Sequence, residues 1–155
     1  MSIELNPPDR VGPVAVGMSM GEAEEALRSL PGFVRLGTEG GTLETRGFAT
    51  YSDGMAIAAH LGTGGKVEAI EVFRPLGGTP VMLDGVDVFA GLADEVIARF
   101  AARGELVTED RGRTIILPGR MVVFGREDIP RPENPEAGLH FDSVLVARPG
   151  YYDAP

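Results

Sequence analysis

The feature that most constrains the fold is a similarity between two segments separated by 74 positions. Residues 67–75 read Val-Glu-Ala-Ile-Glu-Val-Phe-Arg-Pro, and residues 141–149 read Phe-Asp-Ser-Val-Leu-Val-Ala-Arg-Pro. Alternate side chains of a strand share a face, so each segment presents an acid, two aliphatic residues and an arginine on one side. These residues are Glu68, Ile70, Val72 and Arg74 in the first segment, and Asp142, Val144, Val146 and Arg148 in the second.

Each segment is preceded by a predicted helix. Ser19 and Glu22 have the spacing of a capping box, and the residue before Pro31 disfavours helical backbone, so the first helix is expected to end near Leu30. Gly104 is a residue type typical of helix C-termini. It follows a second stripe at helical spacing, formed by Leu92, Val96, Ile97 and Phe100.

These signals predict a unit of one strand, one helix and about three further strands, and this unit occurs twice in the chain. Upstream of the matched segments, residues 55–58 align with residues 121–124 at an offset of 66. We therefore expect an α+β fold of two pseudo-repeated βαβββ units, which form an antiparallel sheet packed by two helices. The prediction is one domain over residues 1–155 with two similar halves, about 11–75 and 82–149. Units of about 70–75 residues are near the lower limit for independent cores, so the halves should share one core.

Composition excludes several classes of protein. The chain of 155 residues is 43% apolar, which is too high for disorder, and no apolar run has the length of a membrane span. It contains no cysteine, so a disulfide framework and thiolate metal sites are ruled out. The net charge of −9, without a run of Lys or Arg, argues against nucleic acid as a partner. No signal peptide is recognisable, so a cytoplasmic location is expected.

One loop differs strongly between the two halves. The first half has the short turn 62–66, whereas the second has residues 127–138, with three prolines and five charged residues. Such loops are where binding residues are often placed on a scaffold, although insertions are also simply tolerated there. The candidates for binding a partner are Arg131, Glu133 and Glu136 in this loop, together with Tyr151 and Tyr152 near the C-terminus. The alternative for the tyrosines is that one of them packs down and closes the last strand.

Three residues are weak catalytic candidates: His60, His140 and Asp142. His140 and Asp142 are two positions apart, which would place them on one face of a strand, where an acid can orient an imidazole for acid–base chemistry. No cysteine or Gly-x-Ser-x-Gly motif supplies a nucleophile. Asp142 also aligns with Glu68, so it can instead belong to the scaffold and pair with an arginine. We expect no metal site and no cofactor.

Residues 61–66, Leu-Gly-Thr-Gly-Gly-Lys, resemble a phosphate-binding loop only superficially. That loop needs a Ser or Thr after the lysine and a helix beyond it. Here Val67 follows and a strand resumes, so the glycines predict a hairpin turn.

Residues 11–27 contain a predicted strand, then Gly17-Met-Ser19, then a helix. This opening resembles BamE/SmpA-like modules. The chain has no lipoprotein signal, so their membrane role is not expected. A larger part resembles a group of small acidic actinobacterial proteins of unknown function, which implies a fold and no chemistry. That resemblance lies in residues 17–19, 66–72, 83–89 and 148–153.

The favoured prediction is a non-catalytic cytoplasmic protein-binding module, for example an immunity or inhibitor protein directed against a basic toxin or nuclease. The alternative is a small-molecule-binding protein or cryptic hydrolase with a pocket near His140 and Asp142. A homodimer formed through an open sheet edge is a third interpretation.

Overall fold

The computed structural model describes residues 2–37 and 47–151, which form an α+β fold of two sheets and two helices, made mostly of strands. The first half contains β1 (Ile3–Asn6), β2 (Arg10–Val11), β3 (Val14–Ala15), α1 (Met20–Ser29), β4 (Phe33–Leu36), β5 (Phe48–Tyr51), β6 (Ala56–Leu61) and β7 (Val67–Phe73). The second half contains β8 (Val81–Leu83), β9 (Val86–Asp87), α2 (Ala93–Ala101), β10 (Val107–Glu109), β11 (Thr114–Leu117), β12 (Val122–Gly125) and β13 (Ser143–Ala147).

The larger sheet has eight strands in the order β10-β11-β12-β13-β7-β6-β5-β4, and all its neighbours are antiparallel. The smaller sheet has the order β3-β2-β1-β8-β9. There β1 and β8 pair in parallel, with Ile3 opposite Val81, so the expectation of antiparallel strands throughout is wrong at this point. Among the described residues, four strands follow each helix instead of about three. Strands of two to four residues are too short to show a clear period of two.

The first helix follows its sequence signals. Ser19 Oγ accepts a hydrogen bond from the Glu22 amide at 3.2 Å, and Glu22 Oε1 accepts one from the Ser19 amide at 3.0 Å, so the capping box is confirmed. The helix ends at Leu30, whose backbone is extended as its position before proline requires.

The second helix differs from its prediction at both ends. Leu92 is the N-cap and is 40% exposed, so it does not belong to the buried stripe. The C-cap is Ala102, and Gly104 lies beyond it. Neither helix in the described ranges combines the length and apolarity needed to cross a membrane.

The core lies against one face of the larger sheet. A row of paired residues crosses five adjacent strands, and none of them is more than 1% exposed. The row consists of Ile57, Val72, Val144, Phe124 and Ile115. Phe124 connects this row to α2, because its ring stacks on Phe141 with 4.9 Å between the ring centroids and on Phe100 of α2 with 6.0 Å between the centroids.

Tyr51 fastens α1 to the sheet and makes stability sensitive to alkaline pH. Its hydroxyl donates to the Leu27 carbonyl oxygen at 2.8 Å, and burial raises the pKa of the phenol well above its usual value near 10. Above about pH 10 the unfolded chain loses this proton while the folded chain keeps it, so the free energy of unfolding should fall by about 1.4 kcal/mol per pH unit.

Tyr51→Phe is the matching variant for that prediction. Losing the hydrogen bond should destabilise the protein by about 1 kcal/mol at pH 7. The difference between the wild-type protein and the variant should shrink above about pH 10, because only the wild-type Tyr51 must then stay protonated. Urea unfolding at pH 7 and at alkaline pH measures both values. A difference that is constant with pH would contradict the buried, protonated phenol.

Candidate functional site

A cavity of about 420 Å³ lies where β7 ends and the chain enters β13. Its polar lining carries four carboxylates, one guanidinium and one imidazole. The polar side chains are those of Glu127, Asp128, Glu136, Asp142, Arg74 and His140, and Gly138 and Leu139 complete the wall. The cavity therefore has an excess of negative charge in a protein that is already acidic.

Arg126 holds the loop that forms this wall. Its side chain is only 5% exposed, and it donates from Nε to the Gly112 carbonyl at 2.9 Å and from Nη1 to the Gly138 carbonyl at 3.0 Å. The guanidinium also lies over the Phe141 ring, 5.7 Å from its centroid. Gly138 has a φ of +66°, and a Cβ at this position would overlap the Asp128 carbonyl oxygen, so only glycine closes the loop in this way.

His140 is oriented by the backbone of the neighbouring segment. Its Nδ1 lies 3.0 Å from the Gly91 carbonyl oxygen, which can only accept, so Nδ1 carries the proton. In the neutral ring this leaves Nε2 as the basic nitrogen. The amide of Ala93 donates to the Leu139 carbonyl at 2.7 Å and ties the same segment to the start of α2.

Asp142 shares the cavity with His140 but not a strand, because β13 begins only at Ser143. The expectation that the two residues lie on a strand was therefore wrong, although both line the same cavity. Asp142 Oδ2 accepts the Glu127 amide at 2.7 Å, and the Asp142 carbonyl accepts the Arg74 amide at 2.9 Å. Asp142 therefore shapes the wall as well as charging it.

Two loop carboxylates are tied within the loop. Asp128 accepts a hydrogen bond from the Ile129 amide at 2.8 Å and another from Arg131 Nη1 at 2.6 Å. Both bonds lower the pKa of the Asp128 carboxyl, and the bond from Ile129 has the larger effect. Arg131 Nε also pairs with Glu133 at 3.1 Å. In contrast, Glu136 forms no ion pair with any described residue and is exposed at the cavity rim. It is free to meet a cation.

The third catalytic candidate, His60, lies elsewhere. It is on β6 opposite Ala69, five residues along β7 from Arg74, which corresponds to about 17 Å. Its Nε2 is 3.4 Å from Glu71 Oε1, and the side chain is 43% exposed. The three candidates therefore do not line one cleft, and within residues 2–37 and 47–151 no group of three His, Asp or Glu side chains could hold a metal.

Tyr151, a candidate for binding a partner, does not line this cavity either. Tyr151 follows the far end of β13, and its ring lies 6.0 Å from the Arg148 guanidinium. Asp142 and Arg148 are six strand residues apart, or about 20 Å. Tyr152 lies outside the described residues.

Sequence reasoning missed three charged residues of the cavity wall: Arg74, Glu127 and Asp128. Arg74 carried a signal, because it closes the matched segment and therefore lies opposite the acid of the other segment in an antiparallel pair. No sequence signal distinguished Glu127 and Asp128 from the other acidic residues of the loop.

Comparison with protein-family models, curated proteins and solved structures found no match.

Proposed function

We propose that this chain is a non-catalytic, cytoplasmic protein-binding module that captures a basic segment of a partner protein in the His140 cavity. The observation that carries the proposal is the cavity of about 420 Å³ with four carboxylates against one guanidinium in its lining. A lysine or arginine side chain has the length to reach into such a cavity and the charge to pair with Glu136 and Glu127 at its rim. An inhibitor or immunity protein acting on a basic toxin or nuclease is one form of this function.

The loop supports this function because it is held in place before binding. Arg126 fixes its end at Gly138, and Arg131 bridges Asp128 and Glu133 within it. Little side-chain and backbone entropy then remains to be lost when a partner docks. The interface we propose is therefore the loop and the cavity, with Arg131 and Glu133 shaping the loop and Glu136 contacting the partner. Tyr151 would lie outside it.

The test uses a capped peptide of alternating Arg and Ser as the basic probe, and NMR titration of the full-length protein. We expect saturable shifts at His140 and Gly138 that weaken as salt is added. The double variant Glu127→Gln with Glu136→Gln should bind about tenfold more weakly, because two exposed charge pairs together contribute about 1–1.5 kcal/mol.

The matched control is Glu25→Gln with Glu109→Gln, which removes the same two charges at exposed positions outside the cavity. We expect its affinity to stay within about twofold of the wild-type protein, the small effect expected of screened distant charges. Equal weakening in both double variants, or shifts spread over the whole surface, would show only non-specific attraction to an acidic protein and would refute the proposal.

A second candidate, a small-molecule-binding protein or hydrolase, is favoured by the orientation of His140. With Nδ1 donating to Gly91, the Nε2 atom is the base, and a bound water would have to be the nucleophile because no hydroxyl side chain is in the described lining. Release of nitrophenol from a nitrophenyl ester that depends on His140, and is lost in His140→Gln, would favour this candidate over the first.

We also propose that the two halves are related units that share one core. In support, Glu71 lies opposite Leu145 at the centre of the larger sheet, and these residues are 74 positions apart, like the matched segments. Arg148 of one half pairs with Glu68 of the other at 2.8 Å. For the strands that precede the matched segments, the register favours an offset of 65 instead of 66. Ala56 lies opposite Phe73, and the Met121 carbonyl accepts a hydrogen bond from the amide of Ala147, the residue 74 positions after Phe73. In this alignment Met121 corresponds to Ala56 and not to Met55.

Packing of both helices on one face of the larger sheet belongs to the same proposal. Tyr51, which bonds to α1, and Phe124, which stacks on α2, project to the same side in the observed register.

A further inference from the structure

A second cavity, of about 240 Å³, is formed where the C-terminal end of α2 meets two turns, one between β8 and β9 and the other between β11 and β12. Its floor is apolar and is made by Phe100 and Leu117, each 4% exposed. Its rim carries the two guanidinium groups of Arg103 and Arg120. None of its lining residues belongs to the His140 cavity.

We propose that this cavity binds a small monocarboxylic acid with an apolar body about the size of one ring. The apolar body would lie on Phe100 and Leu117, and the carboxylate would accept two hydrogen bonds from Arg103. This site is independent of the function proposed for the His140 cavity.

The two arginines have different tasks. Arg120 is committed to Asp84, whose carboxylate it contacts through both Nη1 and Nη2, the second at 3.3 Å. This pair pins the tight turn at Asp84 and Gly85, in which both residues have positive φ. One wall of the cavity is therefore fixed in the absence of any ligand.

Arg103 is the cation left for a ligand. Its guanidinium lies over the Phe100 ring, 5.4 Å from the centroid, and Nη1 reaches the Asp84 carbonyl oxygen only at a long 3.4 Å. No carboxylate of the described residues forms an ion pair with it. A guanidinium with unused N–H groups beside an apolar floor matches the planar fork of a carboxylate.

The surroundings select for a singly charged, small ligand. Asp84 and Glu105 also lie at the cavity and offset much of the positive charge, and Arg103 can balance one negative charge. A dianionic phosphate would leave its second charge uncompensated beside these carboxylates, whereas a single carboxylate is matched by Arg103. The volume is below the range of about 300–1,000 Å³ that is typical for drug-sized ligands. An aromatic or branched acid of about ten non-hydrogen atoms fits these limits.

The test is an NMR titration of the full-length protein with benzoate, and with benzamide and benzylamine as probes of the same shape but other charge. We expect saturable shifts at Leu117, Gly119 and Arg103 for benzoate. Benzoate should bind at least about tenfold more tightly than benzamide, the factor expected for one charge-assisted pair.

Arg103→Gln should reduce benzoate binding to the level of benzamide, and Arg103→Lys should retain an intermediate affinity because it keeps the charge without the fork. The matched control is Arg99→Gln, an exposed arginine of α2 four residues before Arg103 that is absent from this cavity, and it should leave the affinity unchanged. A dispersed spectrum of each variant confirms that it is folded. Absence of saturable shifts, equal binding of benzamide, or shifts confined to the His140 cavity would overturn the proposal.

Discussion

Replacing Arg126 by methionine should lower the free energy of unfolding by about 2–4 kcal/mol. Methionine keeps much of the side-chain volume but removes the donors that serve the carbonyl oxygens of Gly112 and Gly138. Both bonds are part-buried, and an acceptor left there without a partner costs up to about 1–3 kcal/mol. The contact with Asp94 adds little, because that carboxylate is 74% exposed and lies at 3.4 Å.

The loss of stability in Arg126→Met should be accompanied by loosening of the loop that contains Gly138. Gly138 closes the His140 cavity, so the Arg126→Met variant should also bind the Arg-Ser peptide more weakly than the wild-type protein. Urea denaturation measures the first effect, and NMR titration measures the second. Arg111→Met is the control, since Arg111 is exposed in the turn after β10, and its change should stay within about 0.5 kcal/mol. If Arg126→Met is as mild as the control, Arg126 does not hold the loop.

The second large effect is expected for Phe124→Ala, which should lower the free energy of unfolding by about 3–5 kcal/mol. Phe124 is 1% exposed and stacks on both Phe100 and Phe141, so its removal leaves a cavity between α2 and the sheet. Phe124→Leu fills most of that space and should be milder. Val123→Ala is the matched control, because Val123 directly precedes Phe124 in β12 and points to the opposite, half-exposed face. Its cost should be about 1 kcal/mol or less.

The same variant tests whether the halves share one core. Phe124 is in the second half, whereas Tyr51 reports on the first half from beneath α1. If β7 and β13 join the halves into one cooperative unit, amide exchange in β5, which carries Tyr51, and amide exchange in β12 should shift to the same lower midpoint. Two separate transitions, with Tyr51 unchanged, would contradict a single domain.

The local elements of this fold could be predicted from the residues because their causes are local. The capping box at Ser19, the stop before Pro31 and the hairpin at Gly62–Lys66 each depend on neighbours within a few positions. The end of α2 could not be predicted in this way. The C-cap residue Ala102 has helical backbone geometry. An alanine is a less specific indication of a helix end than the glycine at position 104 that the pattern favoured.

The candidate site could be predicted only in part. His140 and Asp142 were selected as a pair, and they do line one cavity, although His60 and Tyr151 lie far from it. The role of Arg126 had no signal in the sequence, since nothing nearby distinguishes it from the exposed arginines. Its burial results from three segments that meet only after folding, at Gly112, Gly138 and Asp94.

The match at an offset of 74 positions, the charge of −9, the lack of cysteine and the charged loop after β12 are all properties of the sequence alone. They determined that the fold is α+β and that thiol chemistry is excluded. The tertiary structure decided that β7 and β13 are neighbours, that the loop folds back over Arg126, and that Arg74, from the other half of the chain, lies with the loop acids beside His140. These features depend on strand order and on hydrogen bonds between distant segments, which the pattern of a single strand or loop does not encode.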